Sequence, residues 1–102
     1  MYARVSEYDV LPGKLDSFVE AAQSVIPLIR QQPGFRALVV LRGPRSSTAQ
    51  ARIVSLWDSR EDMKASEQSM FLYQALSRLM PFCKTFPPID EVEVLASEFA
   101  AD

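Results

Sequence analysis

"VSLWDSREDM", Val54 to Met63, contains the change of period on which the fold turns. Its first four residues close an apolar run with the chain's only tryptophan, Trp57. Two residues later Ser59 stands three before Asp62. That is a capping-box variant with Asp in place of Glu, so a helix is expected to begin near Arg60. A strand thus hands over almost directly to a helix. Ser66 offers a second cap, which predicts a short helix broken into a longer one. Phe71, Leu72, Ala75, Leu76 and Leu79 give the longer helix its apolar face, and Pro81 closes it.

Upstream of Trp57, Arg52 to Trp57 reads as one strand and Phe35 to Leu41 as another. Gly, Pro, Ser and Thr fill the connection "RGPRSSTAQA", so the two are expected to form a hairpin with a longer loop. Before them, Leu15, Phe18, Val19, Ala22, Ile26 and Ile29 recur at helical spacing from Lys14 onward. Pro27 removes a backbone donor there and is expected to kink or loosen the last turns. "QQPGF" stops that helix. Tyr2 to Val10 is a first strand, ended by "LPG". Downstream, Phe86-Pro87-Pro88 is an extended linker, Ile89 to Leu95 a last strand, and the residues after Ser97 a tail. The order is β-α-β-β-α-β: an α+β, ferredoxin-like arrangement with both helices on one face of a four-stranded antiparallel sheet. A length of 102 residues fits a single domain over residues 1–102.

Strand alternation predicts what covers the sheet. Ala37, Val39 and Leu41 share one face of their strand, Leu38 and Val40 the other. Ile53 and Trp57 oppose Val54 and Leu56 in the same way. Both sheet faces are therefore apolar at the centre, and two helices cover only one. A second copy packed sheet to sheet is the simplest cover, so a homodimer is expected. Val54→Asp or Val40→Asp is expected to dissociate or unfold it.

Composition narrows the chemistry. The chain has no histidine, which removes the usual general base, Ser-His and Cys-His nucleophiles, and the commonest ligand for zinc and haem iron. No metal, flavin or haem is expected to be needed. A net charge of −2 with both signs scattered gives no footprint for nucleic acid or an anionic membrane. No apolar run is long enough to span a bilayer. The N-terminus opens on strand-like sequence, so no signal peptide is expected. The single cysteine, Cys83, has no intrachain partner, and a cytoplasmic setting is expected.

Three stretches, "MYARVSEYDVLPGKLDSF", "QQPGFRALVVL" and "VSLWDSREDMKASEQSMFLYQALSRL", resemble the antibiotic biosynthesis monooxygenase family of dimeric α/β-barrel proteins. The resemblance covers nearly the whole chain in order and spacing. It implies the ferredoxin-like dimer, and among possible activities a cofactor-free monooxygenation of phenols or quinols by O2. Haem degraders and proteins without assigned activity belong to the same family. The family's strand-end tryptophan corresponds to Trp57. The asparagine that the polyketide oxygenases carry four residues earlier is Ile53 here, and their tyrosine six residues later is Met63. The haem degraders' first-strand asparagine corresponds to Ser6, and their helix histidine is missing, which disfavours haem degradation.

The resemblance makes Trp57 and Ser6 candidate catalytic residues. Ser55, Ile53, Met63, Phe71, Tyr73 and Arg78 are candidates for binding a small aromatic substrate. Most of them have a plainer alternative. Trp57 is a core residue as readily as a pocket wall, and its indole N–H needs a partner either way. The two serines leave room for a ligand, or simply for the tryptophan. Met63 fills gaps, Tyr73 fits an exposed helix position, and Arg78 suits a solvated helix face. The Trp57 face is assigned to the helices by the resemblance, which puts a pocket inside each subunit with Phe18, Phe71 and Leu72 as its roof. The function expected is a cofactor-independent monooxygenase, with a non-catalytic small-molecule binder or stress-associated dimer as the alternative.

Overall fold

The computed structural model describes residues 1–43 and 50–100. Four strands and three helices follow in the order β1 (Tyr2–Tyr8), α1 (Leu15–Ile29), β2 (Phe35–Arg42), β3 (Ala51–Trp57), α2 (Arg60–Gln68), α3 (Phe71–Leu79) and β4 (Ile89–Glu93), with a 3₁₀ turn at Met80–Phe82 after α3. The sheet order is β2-β3-β1-β4, antiparallel throughout. This is the expected α+β, ferredoxin-like fold, an open sheet with its helices on one face. The loop expected between β2 and β3 lies largely outside the described residues, but the pairing itself is a hairpin.

The strand-to-helix handover forms as its residues dictate. The Ser59 hydroxyl accepts the Asp62 amide at 3.1 Å, and Glu61 and Asp62 place negative charge in the first turn of α2. Gly34 closes the same corner. Its φ is +79°, its carbonyl accepts the Asp58 amide at 2.8 Å, and an added Cβ would overlap the Asp62 side chain.

Local expectations fail in three places. The cap expected at Ser66 does not form, because Ser66 lies inside α2 and its hydroxyl donates to the Met63 carbonyl at 2.6 Å. The break comes instead at Met70, which takes a left-handed φ of 68° and starts α3 without a side-chain cap. Pro27 sits inside the last turns of α1, which runs on to Ile29, where the Arg30 amide bonds to the Ile26 carbonyl at 3.1 Å. β1 ends at Tyr8, with Val10 making only an isolated bridge to Cys83, and β4 ends at Glu93.

Arg4, Ser6, Tyr8, Ile53, Ser55, Trp57, Leu38 and Val40 face the helices. Val40 therefore packs on the core and does not belong with Val54, whose cross-strand neighbour is Val39. A register shift between Phe35 and Ala37 accompanies this parity. The other sheet face carries Val5, Val54 and Leu56, with Val39, Leu41 and Val92 each more than two-fifths exposed. Under the helices the core falls into two clusters. One gathers Phe18, Leu79 and Val10 around Tyr8; the other gathers Ile29, Met63 and Phe71 around Trp57.

Candidate functional site

At the seam between those clusters lies a cavity of about 50 Å³. β1 and β3 form its floor. Alternate residues of a strand share a face, and on β1 that face carries Arg4, Ser6 and Tyr8, all buried. On β3 it carries Ile53 and Ser55, set beside Ser6 and Arg4 respectively by the register. Leu38 of β2 adds an apolar edge. Above them α1 contributes Ala22, Val25 and Ile29, and α3 contributes Phe71, Leu72, Ala75, Leu76 and Leu79. The walls are thus hydrocarbon and the floor carries hydroxyls and one guanidinium.

The floor is internally bonded. Ser55 Oγ accepts the Trp57 indole N–H at 3.0 Å. Ser6 Oγ donates to the Tyr8 hydroxyl at 2.9 Å. Burial pushes the Tyr8 phenol above its ordinary pKa, the Ser6 hydrogen bond opposing, so Tyr8 is a neutral hydroxyl at physiological pH. Arg4 Nη2 donates to the Met63 carbonyl at 3.0 Å and to Ser66 Oγ at 3.1 Å, and lies 3.4 Å from Glu67 Oε1. Its Cζ is 5.5 Å from the centre of the Trp57 ring, within cation–π range. Burial lowers the Arg4 pKa and Glu67 raises it back, and an arginine so placed keeps its proton.

Ser6, Ile53, Ser55 and Phe71 come together around this cavity. Trp57 does not line it. The indole is wholly buried behind Ser55 and Arg4, edge-on to Phe35 at 5.7 Å. Met63 is equally buried, packed in the Trp57 cluster beyond the lining. Phe71 and Leu72 form part of the roof as expected, but Phe18 does not, because its ring packs on Tyr8 at 4.9 Å. Tyr73 is 68% exposed and points away from the cavity, and Arg78 lies on the outer surface, where Nη1 donates to the Ser24 carbonyl at 2.7 Å and ties α3 to α1. Sequence reasoning missed Arg4 and Tyr8. The signal was present: strand parity that turns Ser6 inward turns both of them inward too.

The sequence profile of the family described as antibiotic biosynthesis monooxygenase matches residues 1–75. The chain belongs to that family. No curated protein sequence matches it. Among solved structures it is similar to a protein of unknown function from Nitrosomonas europaea, at 17% identity and a TM-score of 0.78, over 99% of this chain and 95% of that one. It is similar also to SnoaB, a cofactor-independent oxygenase from Streptomyces nogalater, at 12% identity and a TM-score of 0.76, over 94% of each chain. A conserved protein from Methanosarcina mazei Go1 matches at 15% identity and a TM-score of 0.71, over 89% of this chain and 90% of that one. At such identities the likeness is one of fold. Among the described residues no helix is long and apolar enough to cross a membrane.

Proposed function

We propose that the chain is a cofactor-independent monooxygenase that uses O2 on a small phenolic, quinol or anthrone-like aromatic held in the seam cavity. The observation that carries this reading is the cavity's make-up: apolar walls over a floor of hydroxyls and one guanidinium, with no carboxylate or thiol in its lining among the described residues. With a ring admitted, such a site orients it and excludes water but offers no strong base. An electron-rich substrate that ionises readily needs little more. For an anthrone-type CH2 the balance closes with O2 alone. One oxygen atom becomes the new carbonyl oxygen and the other leaves as water; the two C–H bonds give up the four electrons that reduce O2 and the two protons that end in the water. Ser55 and Tyr8, the latter held by Ser6, fix the substrate's oxygens, while Ile53 and Phe71 hold its ring. Trp57 acts from behind Ser55 as a support for the floor. Met63 backs that support, and Tyr73 and Arg78 take no part.

The cavity is large enough for a few waters and not for a ring. Binding therefore requires the α3 side chains Phe71 and Leu72 to move outward. That closed state, together with Ile53 and Met63 at positions where the polyketide oxygenases differ, favours the second reading, a non-catalytic binder. Oxygen uptake with a panel of quinols and anthrones separates the two. The proposal expects uptake that falls in Trp57→Phe as the floor loosens; a ligand that quenches Trp57 yet consumes no oxygen supports the binder.

The functional unit in this proposal is a homodimer in the cytoplasm. Its support is the open sheet face, where Val39, Leu41 and Val92 would otherwise meet water.

A further inference from the structure

Arg4 is 4% exposed, and it spends its donors at one end only. Nη2 makes every hydrogen bond the residue forms among the described residues, to Met63, Ser66 and Glu67. Nε is buried and has no partner among the described residues. A buried charged donor left unpaired is costly, and this one belongs to a side chain that lines the seam cavity. The surrounding charges are Glu67, Lys64 and Glu91, the cross-strand partner of Arg4. Lys64 holds one Glu91 oxygen, and the other, Oε2, is itself buried and unpaired among the described residues. Two cations and two anions balance, so a ligand anion competes with Glu67 for the guanidinium.

The remaining floor groups point the same way. Ser55 accepts the indole N–H and, among the described residues, donates to nothing; Tyr8 accepts from Ser6 at 2.9 Å, the shorter of that hydroxyl's two contacts, the other being the Ile53 carbonyl at 3.5 Å, and likewise donates to nothing. A lining whose unspent groups are donors calls for a ligand rich in acceptors. We propose that Arg4 selects an oxyanion, so that the cavity takes a small planar aromatic as its phenolate or enolate in preference to the neutral molecule. This rests on the cavity being the substrate site and names the ionisation state of what it accepts.

The probe is para-nitrophenol, whose anion alone is yellow, so its absorbance reads the bound form directly. With protein in excess the yellow form should persist to lower pH, corresponding to about a tenfold preference for the phenolate. Glu67→Gln, which removes the competing carboxylate, should tighten phenolate binding about threefold. It should leave binding of the neutral para-nitroanisole, followed by Trp57 quenching, unchanged. Arg4→Met should abolish the preference and Arg4→Lys retain part of it. Should Arg4→Met fail to fold, the wild-type titration and Glu67→Gln still decide. Equal binding of phenol and phenolate, no binding of either, or an unaltered phenolate affinity in Glu67→Gln overturns the proposal. Phenolate binding without oxygen uptake from any quinol or anthrone overturns the monooxygenase reading instead and leaves Arg4 as the selector.

Discussion

Ser55 carries two duties at once: it accepts the buried indole N–H and keeps the cavity floor low. Ser55→Ala leaves that N–H unpaired and should lower stability by about 1–3 kcal/mol in urea unfolding. Ser55→Leu also fills the floor, so aromatic ligands should no longer quench Trp57, whose signal is unambiguous in a single-tryptophan chain. Tyr8 gives a pH prediction. Burial raises its pKa above the unfolded value of about 10. Between the two values the native state keeps a proton that the unfolded chain has released, so stability falls as pH rises through that window. Cys83, raised by burial and then by Asp9, adds a slope of the same sign that begins lower. Urea midpoints near pH 9 and near pH 11 should fall less in Tyr8→Phe than in wild type. At this scale the sequence was half legible. Parity placed Ser6, Ile53 and Ser55 on one face, but a charged residue in a strand reads as solvent-facing, which hid Arg4. Only its contacts with Met63, Ser66 and Glu67, about sixty residues away, explain its burial.

Among the elements, the strand and helix periods were readable because each rests on local alternation and caps. Ser59 was visible for that reason. Ser66 misled because a serine inside a helix can bond its own preceding turn or a distant guanidinium, and both happen here. The true break at Met70 has no local signal, as methionine seldom adopts a left-handed φ. The residue is 55% exposed, so little packing is at stake. Met70→Asn, which tolerates that φ, should raise stability by about 0.5–1 kcal/mol, seen as a higher thermal midpoint. Gly34→Ala should act in the opposite sense, by about 1–3 kcal/mol, since it strains a positive φ and drives a methyl into Asp62. An unchanged midpoint would mean that the β2–α2 corner yields without strain.

For the whole molecule, the decisive surface is the sheet face opposite the helices. Val39 and Val54 are direct cross-strand neighbours on it, whereas Val40 packs against the core. The two positions should therefore fail differently. Val39→Asp should convert a sedimenting dimer to a folded monomer, while Val40→Asp should unfold the chain, since a buried lone carboxylate is costly. A wild type that sediments as a monomer at micromolar concentration would refute the homodimer. Which face is which could not be read from parity alone, because both faces of β2 and β3 are apolar; the pairing of β1, with its inward Arg4, Ser6 and Tyr8, breaks the tie.

The seat of β1 between β3 and β4 governs the order in which the molecule is assembled. β1 precedes both of its sheet neighbours in the chain, and they begin only at Ala51 and Ile89. Until they arrive, both edges of β1 remain open in the nascent chain. Early structure is confined to α1 and to the hairpin of β2 and β3, and closure of the sheet waits on contacts far apart in sequence, which slows folding. A chaperone that masks Tyr2–Tyr8 during synthesis would act at the segment to which both β3 and β4 must pair before the sheet closes.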